Sequence, residues 1–193
     1  MPEVLTQTQH DLTFSVHDEK QLTWQQHNRI HDALNRAYDD RTQSFTKKTF
    51  AESEPSKRII CSVDKKIVGH IAIFESSTTL DDKTIPIAGI GLKLALIPHI
   101  NIGNSLSKRA IALCAELNYP FAVGRITNSE TVKTSLMPIT SCFLDIPMRG
   151  HHSQSHEWET LAFYDTQIKP TLTEEAVNYF REQGCMVING EIF

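Results

Sequence analysis

The N-terminal part of the chain carries the polar and apolar pattern of a strand followed by an amphipathic helix. Residues 11–17 alternate between polar and apolar side chains, which is the two-residue period of a half-buried strand. In residues 20–38 the apolar side chains recur at intervals of three and four and predict a helix. One face of that helix carries Ile30, Ala33, Leu34, Ala37 and Tyr38. The polar segment that follows, as far as Lys57, shows no sustained period and is predicted to be a loop with at most one short helix.

Two β-rich runs in the next segment predict a hairpin. Residues 58–63 and residues 67–74 are rich in isoleucine and valine, and a short polar turn separates them. The polar residues 75–84 are predicted to form the next turn. Residues 85–97 follow as an apolar run with too much glycine for a helix, which favours a central strand. We expect a bulge in that strand near its two glycines, Gly89 and Gly91.

The C-terminal half alternates helices with strands. From about Asn104 a helical period returns, with an apolar stripe formed by Leu106, Ala110, Leu113, Cys114 and Leu117. Residues 121–126, 141–146 and 160–165 are predicted to be strands. Residues 171–184 predict a last helix, with a T-x-x-E capping box at its start and a glycine at its end. This order predicts an α/β (α+β) protein with a mixed central sheet and flanking helices.

Length, charge and cysteine content restrict the function classes. A chain of 193 residues is close to the usual size of one domain, so we expect a single domain over residues 1–193. Its 19 Lys and Arg against 23 Asp and Glu give a net charge of −4, which disfavours nucleic acid as a partner. The sequence shows neither a secretion signal nor the roughly 20 apolar residues of a membrane span, and its four cysteines are far apart. We therefore expect a cytoplasmic protein with reduced thiols, while the oligomeric state stays open.

A cluster of His151, His152, His156 and Glu157 has side chains that zinc or iron would accept. The surrounding residues are polar and aperiodic, which favours a solvated loop over a metal site. We therefore expect no metal cofactor.

Residues 94–105 join the end of the predicted central strand through a short loop to the start of a helix. The first backbone N–H groups of a helix have no partner inside it and carry partial positive charge, so they can hold a phosphate without a basic side chain. Gly103 would let the backbone come close to such a group. A plain connection between strand and helix is the alternative for this segment.

This strand, glycine loop and helix, at this place in the order of elements, resemble motif A of the GNAT acyltransferases. The resemblance implies that the loop binds the phosphate of a pantetheine carrier. It also implies that the preceding strand diverges from its neighbour and leaves backbone groups free for the pantetheine arm. The strand residues would be Leu94, Ala95 and Leu96, and the loop residues Asn101, Ile102, Gly103, Asn104 and Ser105. Asn128, which precedes the position of the family's tyrosine, is also assigned to this co-substrate.

Within the GNAT proteins, the chain is most similar to the nodulation N-acyltransferases, over roughly residues 26–137. The matching positions are Arg36, Tyr38, Phe45, Lys48, Phe50, His70, Gly91, Leu92, Gly103, Glu116, Leu117, Pro120 and Phe121. This resemblance implies transfer of a fatty acyl chain from acyl carrier protein to an amine, with acyl-ACP or acyl-CoA as co-substrate. The basic residues Lys108 and Arg109 could help to dock the acidic carrier protein.

The loop departs from the family motif in ways that bear on catalysis. Residues 98–103 keep only the last of the two motif glycines, and Asn101 could replace the first because Asn tolerates a positive φ. The acidic residue usual on the diverging strand is absent, and Ser135 lies near the position of the usual tyrosine acid. No residue is a compelling general base, so His70 and Tyr38 are the catalytic candidates, together with a water chain. A structural histidine in a sheet is the alternative for His70.

Three other assignments compete with this one. Residues 68–73 and 80–87 are similar to aminoglycoside 2'-N-acetyltransferases, which would imply acetyl-CoA as the donor. The degraded loop also fits a GNAT domain that binds a partner without catalysis. An acyl-homoserine-lactone synthase has a similar fold, but Trp24 and Trp158 do not lie in the contexts that such a synthase requires. The sequence therefore predicts an N-acyltransferase that uses a pantetheine thioester and an amine acceptor.

Overall fold

The computed structural model describes residues 11–38, 49, 54–97, 101–126, 140, 142–150 and 158–189. These residues form eight strands, which are β1 (Thr13–Asp18), β2 (Lys57–Val63), β3 (Lys66–Leu80), β4 (Lys83–Ala95), β5 (Phe121–Ile126), β6 (Cys142–Gly150), β7 (Trp158–Asp165) and β8 (Met186–Asn189). They also form three α-helices, which are α1 (Trp24–Ala37), α2 (Ile102–Glu116) and α3 (Pro170–Gln183). A short 3-10 helix at Glu19–Gln21 lies between β1 and α1.

All eight strands belong to one mixed sheet, in the order β1-β2-β3-β4-β5-β7-β6-β8. The β4–β5 and β6–β8 pairs are parallel, and the other neighbouring pairs are antiparallel. Strands β2, β3 and β4 form the predicted meander. The predicted α/β (α+β) class, with a mixed sheet and flanking helices, is therefore confirmed.

Both hairpins of the meander close with two-residue turns whose residues have positive φ, as the twist of the flanking strands favours. The turn residues are Asp64 (49°), Lys65 (63°), Asp81 (45°) and Asp82 (63°). The turn predicted over residues 75–84 is wrong in extent, because most of that segment continues β3. Thr78 shows why: it is buried, and its hydroxyl donates to the carbonyl of Val187 on β8 at 2.6 Å.

Helices cover both faces of the sheet. On one face, α2 packs through Ile102, Leu106, Ala110 and Cys114. On the other face, α1 packs through Ile30, Ala33 and Leu34. Neighbouring residues of β2 show this division, because Ile59 belongs to the core under α2 while Ile60 belongs to the core under α1. Helix α3 covers a further core that it forms with β5, β6 and β7.

The starts of two helices differ from the predictions. Helix α2 begins at Ile102, two residues before the predicted Asn104. Helix α3 begins at Pro170 and its N-cap residue makes no side-chain capping bond, so the predicted capping box at Thr171 is wrong. The fixed φ of proline suits the first helical position, which places Thr171 inside the first turn. The predicted glycine end is confirmed, since Gly184 has a left-handed φ of 65°.

Candidate active site

Strand β4 diverges from β5 in the middle of the sheet. These parallel strands pair only at Ala88 with Ala122 and at Gly89 with Val123. Both strands continue beyond that point, and their described residues show no further ladder between them. The divergence opens a cleft, along which the edge of β4 presents peptide groups that have no ladder partner among the described residues.

A bulge shapes β4 along this cleft. The register between β3 and β4 shifts between His70 and Ala72, where β4 contributes Leu92 and Lys93 against one residue of β3. Leu92 has a φ of 49°, which a leucine rarely adopts. The expected bulge is therefore present, but it begins one residue beyond Gly91 and uses a leucine in the conformation that glycine adopts most easily.

Only part of the predicted pantetheine-binding strand faces the cleft. The N–H of Leu96 donates to the carbonyl of Val68 on β3 at 2.7 Å, so this amide is not available to a ligand. Hydrogen-bonded and non-hydrogen-bonded pairs alternate in an antiparallel ladder. Leu94 therefore also directs its peptide groups to β3, and Ala95 directs its own toward β5. Of the three predicted residues, Ala95 is the one whose backbone meets the cleft.

The first turn of α2 has the open backbone that an anion site needs. The N–H of Ser105 donates to the carbonyl of Asn101 at 3.1 Å. The preceding N–H groups, those of Ile102, Gly103 and Asn104, have no carbonyl one turn back within the helix. Asn101 has a φ of −72° and makes no side-chain capping bond, so the positive φ predicted for it is wrong. The predicted cradle from Asn101 to Ser105 thus forms the start of a helix rather than a loop.

Lys93 also belongs to this site, although the sequence patterns assigned it no role. A Cβ built at Gly103 would lie 3.4 Å from Cε of Lys93 and 3.8 Å from its Nζ. Burial lowers the pKa of Lys93 from 10.5 to about 8, so the ammonium is charged at neutral pH. The ammonium and the helix start together favour an anion at this corner of the cleft. The available signal was that Lys93 is the only charged residue in the apolar run 85–97.

The two catalytic candidates both contact the bulge. The hydroxyl of Tyr38, at the end of α1, donates to the carbonyl of Lys93 at 2.7 Å. The Nδ1 of His70 lies 2.8 Å from the carbonyl oxygen of Leu92, and its Nε2 lies 3.1 Å from Nη1 of Arg58. A carbonyl only accepts and a guanidinium only donates. Nδ1 of His70 therefore carries the proton, and Nε2 accepts from Arg58.

His70 is a neutral imidazole held away from solvent. Its side chain is fully buried. Burial is the main cause that lowers the pKa of His70 to about 3, and the positive charge of Arg58 lowers it further. The hydrogen bond to the Leu92 carbonyl raises this pKa, but its effect is smaller. Both nitrogens are engaged, and no lone pair is left for the proton of an attacking amine. These contacts do not support the general-base role predicted for His70, and they favour a histidine that holds the backbone.

A buried ion pair lies behind His70. The guanidinium of Arg58 bonds both carboxylate oxygens of Glu19, with Nη2 lying 2.9 Å from Oε1. Nη2 also donates to the hydroxyl of Thr49 at 2.8 Å and to its carbonyl at 3.2 Å. Glu19, Thr49, Arg58 and His70 are all buried, and we refer to these four residues as the buried polar network. It connects the 3-10 helix through β2 and β3 to the bulge of β4.

Several predicted residues lie outside the described part of the chain. They are Phe45, Lys48, Phe50, residues 98–100, Asn128, Ser135, His151, His152, His156 and Glu157. Within the described residues, His, Cys, Asp and Glu side chains form no group of three that could hold a metal ion. No helix of the same residues is long and apolar enough to cross a membrane. Both residues of the basic pair are exposed, and the guanidinium of Arg109 lies over the ring of Phe14, 4.2 Å from its centroid.

A cavity of about 470 Å³ lies elsewhere in the molecule. Four acidic residues and two lysines line it, and the acidic residues include Asp18, Glu54 and Glu75. Its lining residues lie in β1, the 3-10 helix, β2 with the segment before it, and β3, and not in β4, β5 or α2, which border the cleft. The cavity is therefore separate from the cleft.

A family model decides the assignment of the chain. The model described as nodulation protein A (NodA) matches residues 9–143, which is more than half of the 193 residues. The chain belongs to the NodA family. No curated protein matches it.

Solved structures show that this NodA chain has the GNAT fold. The GNAT family N-acetyltransferase YhbS from Escherichia coli, solved in complex with CoA, aligns with a TM-score of 0.57 at 9% identity, over 94% of this chain and 91% of that one. FeeM, an N-acyl amino acid synthase from uncultured soil microbes, aligns with a TM-score of 0.57 at 10% identity, over 84% of this chain and 94% of that one. The predicted GNAT-like architecture is therefore confirmed.

Other similar structures are much longer than this NodA chain. A conserved protein from Enterococcus faecalis V583, described as a probable N-acyltransferase, aligns with a TM-score of 0.47 at 14% identity over 63% of this chain. The chain spans 31% of the length of that structure.

Proposed function

We propose that this NodA protein transfers an acyl group from a pantetheine thioester, carried by CoA or by acyl carrier protein, to an amine. The cleft between β4 and β5 carries the proposal, with the bulge along it and the open start of α2 beside Lys93. Ala95 offers peptide groups to the amides of the pantetheine arm, and the first turn of α2 offers N–H groups to its phosphate. The CoA bound to YhbS supports a ligand of this class for the fold.

The transfer needs little from the protein because a thioester is already reactive. The neutral amine attacks the thioester carbonyl, a C–N bond forms, and the C–S bond breaks to release the thiolate. A backbone N–H of the bulge donates to the oxyanion of the tetrahedral intermediate. The proton that the amine loses passes through water to the thiolate, since both nitrogens of His70 are engaged. The products are an amide and a free thiol.

The donor is proposed to carry a long acyl chain or to be an acyl carrier protein, as the resemblance to the nodulation N-acyltransferases implies. A turnover screen with short, medium and long acyl-CoA and with acyl carrier protein tests this choice. We expect turnover to increase with chain length. Turnover with acetyl-CoA alone would favour the second candidate, a small-molecule N-acetyltransferase, which the likeness to the N-acetyltransferase YhbS supports.

Gly103→Phe should abolish donor binding. A Cβ at Gly103 would point at Lys93 and lie 3.4 Å from its Cε. This distance leaves room for a methyl group but not for a phenyl ring. The ring would displace the ammonium and cover the first turn of α2. Calorimetry with acetyl-CoA, long-chain acyl-CoA and acyl carrier protein measures the loss, and Gly103→Ala is the matched control that should keep most of its affinity. If the wild-type protein bound none of these donors, the partner-binding alternative would replace the proposed function.

Donor affinity should fall as the pH rises through about 8, the pKa of Lys93. Below this pH the ammonium attracts the donor phosphate, and above it the neutral amine does not. A bound phosphate stabilises the ammonium, so binding above about pH 8 takes up a proton. Calorimetry in two buffers of different ionisation enthalpy detects that proton. Lys93→Met should show weaker binding and no uptake, and an unchanged pH dependence in this variant would exclude the contact.

A further inference from the structure

The β4 bulge holds a strained backbone. A leucine with a φ of 49°, such as Leu92, costs of order 1–3 kcal/mol and persists only where the surrounding contacts hold it. Two consecutive carbonyls of the bulge are held by side chains. The Leu92 carbonyl accepts from His70 at 2.8 Å, and the Lys93 carbonyl accepts from Tyr38 at 2.7 Å. The strain is therefore maintained from β3 and from the end of α1 together.

The contacts behind His70 determine which of its nitrogens donates to the bulge. Arg58 donates to Nε2 at 3.1 Å, so the proton of the neutral ring lies on Nδ1 and faces the Leu92 carbonyl. Glu19 and Thr49 hold the guanidinium in turn. Because the whole buried polar network is shielded from solvent, water does not replace these bonds when one of them is lost.

Fixing a carbonyl also fixes the N–H of the next residue. The carbonyl of Leu92 and the N–H of Lys93 belong to one planar peptide unit, in which they point in opposite directions. Since the imidazole of His70 holds this carbonyl, the Lys93 N–H points away from that ring. On its edge away from β3, β4 borders the cleft.

We propose that Arg58, His70 and Tyr38 are positioning residues for acyl transfer, which fix the bulge so that the Lys93 N–H points at the thioester carbonyl. The inference rests on the proposed function and adds to it the residues that aim the oxyanion donor. None of the three touches the substrate in this role, and no proton moves through His70. The effect of each residue should therefore appear in kcat rather than in donor affinity.

Two substitutions of His70 separate positioning from proton transfer. In His70→Asn the side-chain amide can still donate from the place of Nδ1, and in His70→Gln it can reach the place of Nε2 and Arg58. We expect kcat to fall about 10²-fold in His70→Gln and less than about 10-fold in His70→Asn. The pH profile should keep its shape in both variants, because the pKa of His70, at about 3, lies below the range of the assay. A general base would lose its activity equally in both variants, together with the acid limb of the profile.

Tyr38→Phe provides a milder second probe, because it removes one hydroxyl from a half-buried side chain. We expect a loss of about 10-fold in kcat with an unchanged donor Kd. If both residues hold the same bulge, the losses in the double variant with His70→Gln should be less than multiplicative. His17→Asn is the matched control, since this histidine of β1 contacts Ser15 instead of the bulge, and its kcat should stay normal.

Wild-type kcat in the folded His70→Gln and Tyr38→Phe variants would overturn the inference, and so would the loss of an acid limb in either variant. Thermal unfolding measures the folded fraction of each variant. Amide hydrogen exchange in residues 92–95 tests the fixed bulge without turnover, and it should accelerate in His70→Gln more than in His70→Asn. Unaltered exchange would contradict the inference even if no thioester were turned over. Absence of wild-type turnover would instead count against the proposed function.

Discussion

Arg58→Met is expected to lower the free energy of unfolding by about 3–5 kcal/mol. Its guanidinium is fully buried, and its removal takes away the cation that bonds both carboxylate oxygens of the buried Glu19, which keeps only the imidazole of His27 at 3.9 Å. The hydroxyl of Thr49 and Nε2 of His70 lose their donor at the same time. Chemical denaturation followed by circular dichroism measures this loss.

The matched control removes both charges of the pair. Glu19→Met combined with Arg58→Met should recover a large part of the stability, because no uncompensated charge then stays in the core. A loss below about 1 kcal/mol for Arg58→Met alone would contradict the burial of the pair, since exposed ion pairs contribute in that range.

Gly69→Val should both destabilise the protein and weaken donor binding. A Cβ at Gly69 would lie 2.5 Å from Cγ2 of Ile102 and 3.0 Å from Cδ1 of Leu106, so α2 must move away from β3. Overpacking of this kind costs about 1–3 kcal/mol. The displaced residues include the first of α2, so the anion site should move with them.

Thermal unfolding and calorimetry with acyl-CoA measure the two effects of Gly69→Val. Gly103→Ala serves as the control because it also adds a side chain at the start of α2, but its Cβ would lie 3.4 Å from the nearest atom, the Cε of Lys93, which is an ordinary contact. Wild-type donor affinity in Gly69→Val would show that the start of α2 does not hold the donor.

The strands of the meander could be predicted because their residues suit a sheet locally. Runs of isoleucine and valine with polar turns between them identify β2 and β3 without any knowledge of their partners. The length of β3 could not be predicted in this way. Its polar second half is held by β4 and by β8, and the pairing of Thr78 with Ile188 joins segments far apart in the chain. Strand β8 has four residues, too few to show a period.

In the candidate site, too, the features set by local sequence could be predicted, and those set by contacts between distant residues could not. The start of α2 could be located to within two residues because a change of period and a glycine identify it. The sequence singled out His70 and Tyr38 as catalytic candidates, but their contacts with β4 could not be predicted. Their partners are backbone carbonyls 22 and 55 positions away in the sequence, and carbonyls are present at every residue. The partnership of Arg58 with Glu19 likewise spans 39 positions.

The cleft can change its width at little cost in backbone hydrogen bonds. Strand β4 remains paired with β3 as far as Ala95, and β5 remains paired with β7 as far as Ile126. At the other end of the sheet, β8 pairs with both β3 and β6 and ties the two halves together. The two halves of the sheet are thus joined by ladders at the closed end of the cleft, and no ladder between β4 and β5 joins their described residues at the open end. A small rotation of the two halves would therefore change the width of the cleft without any rearrangement of the ladders.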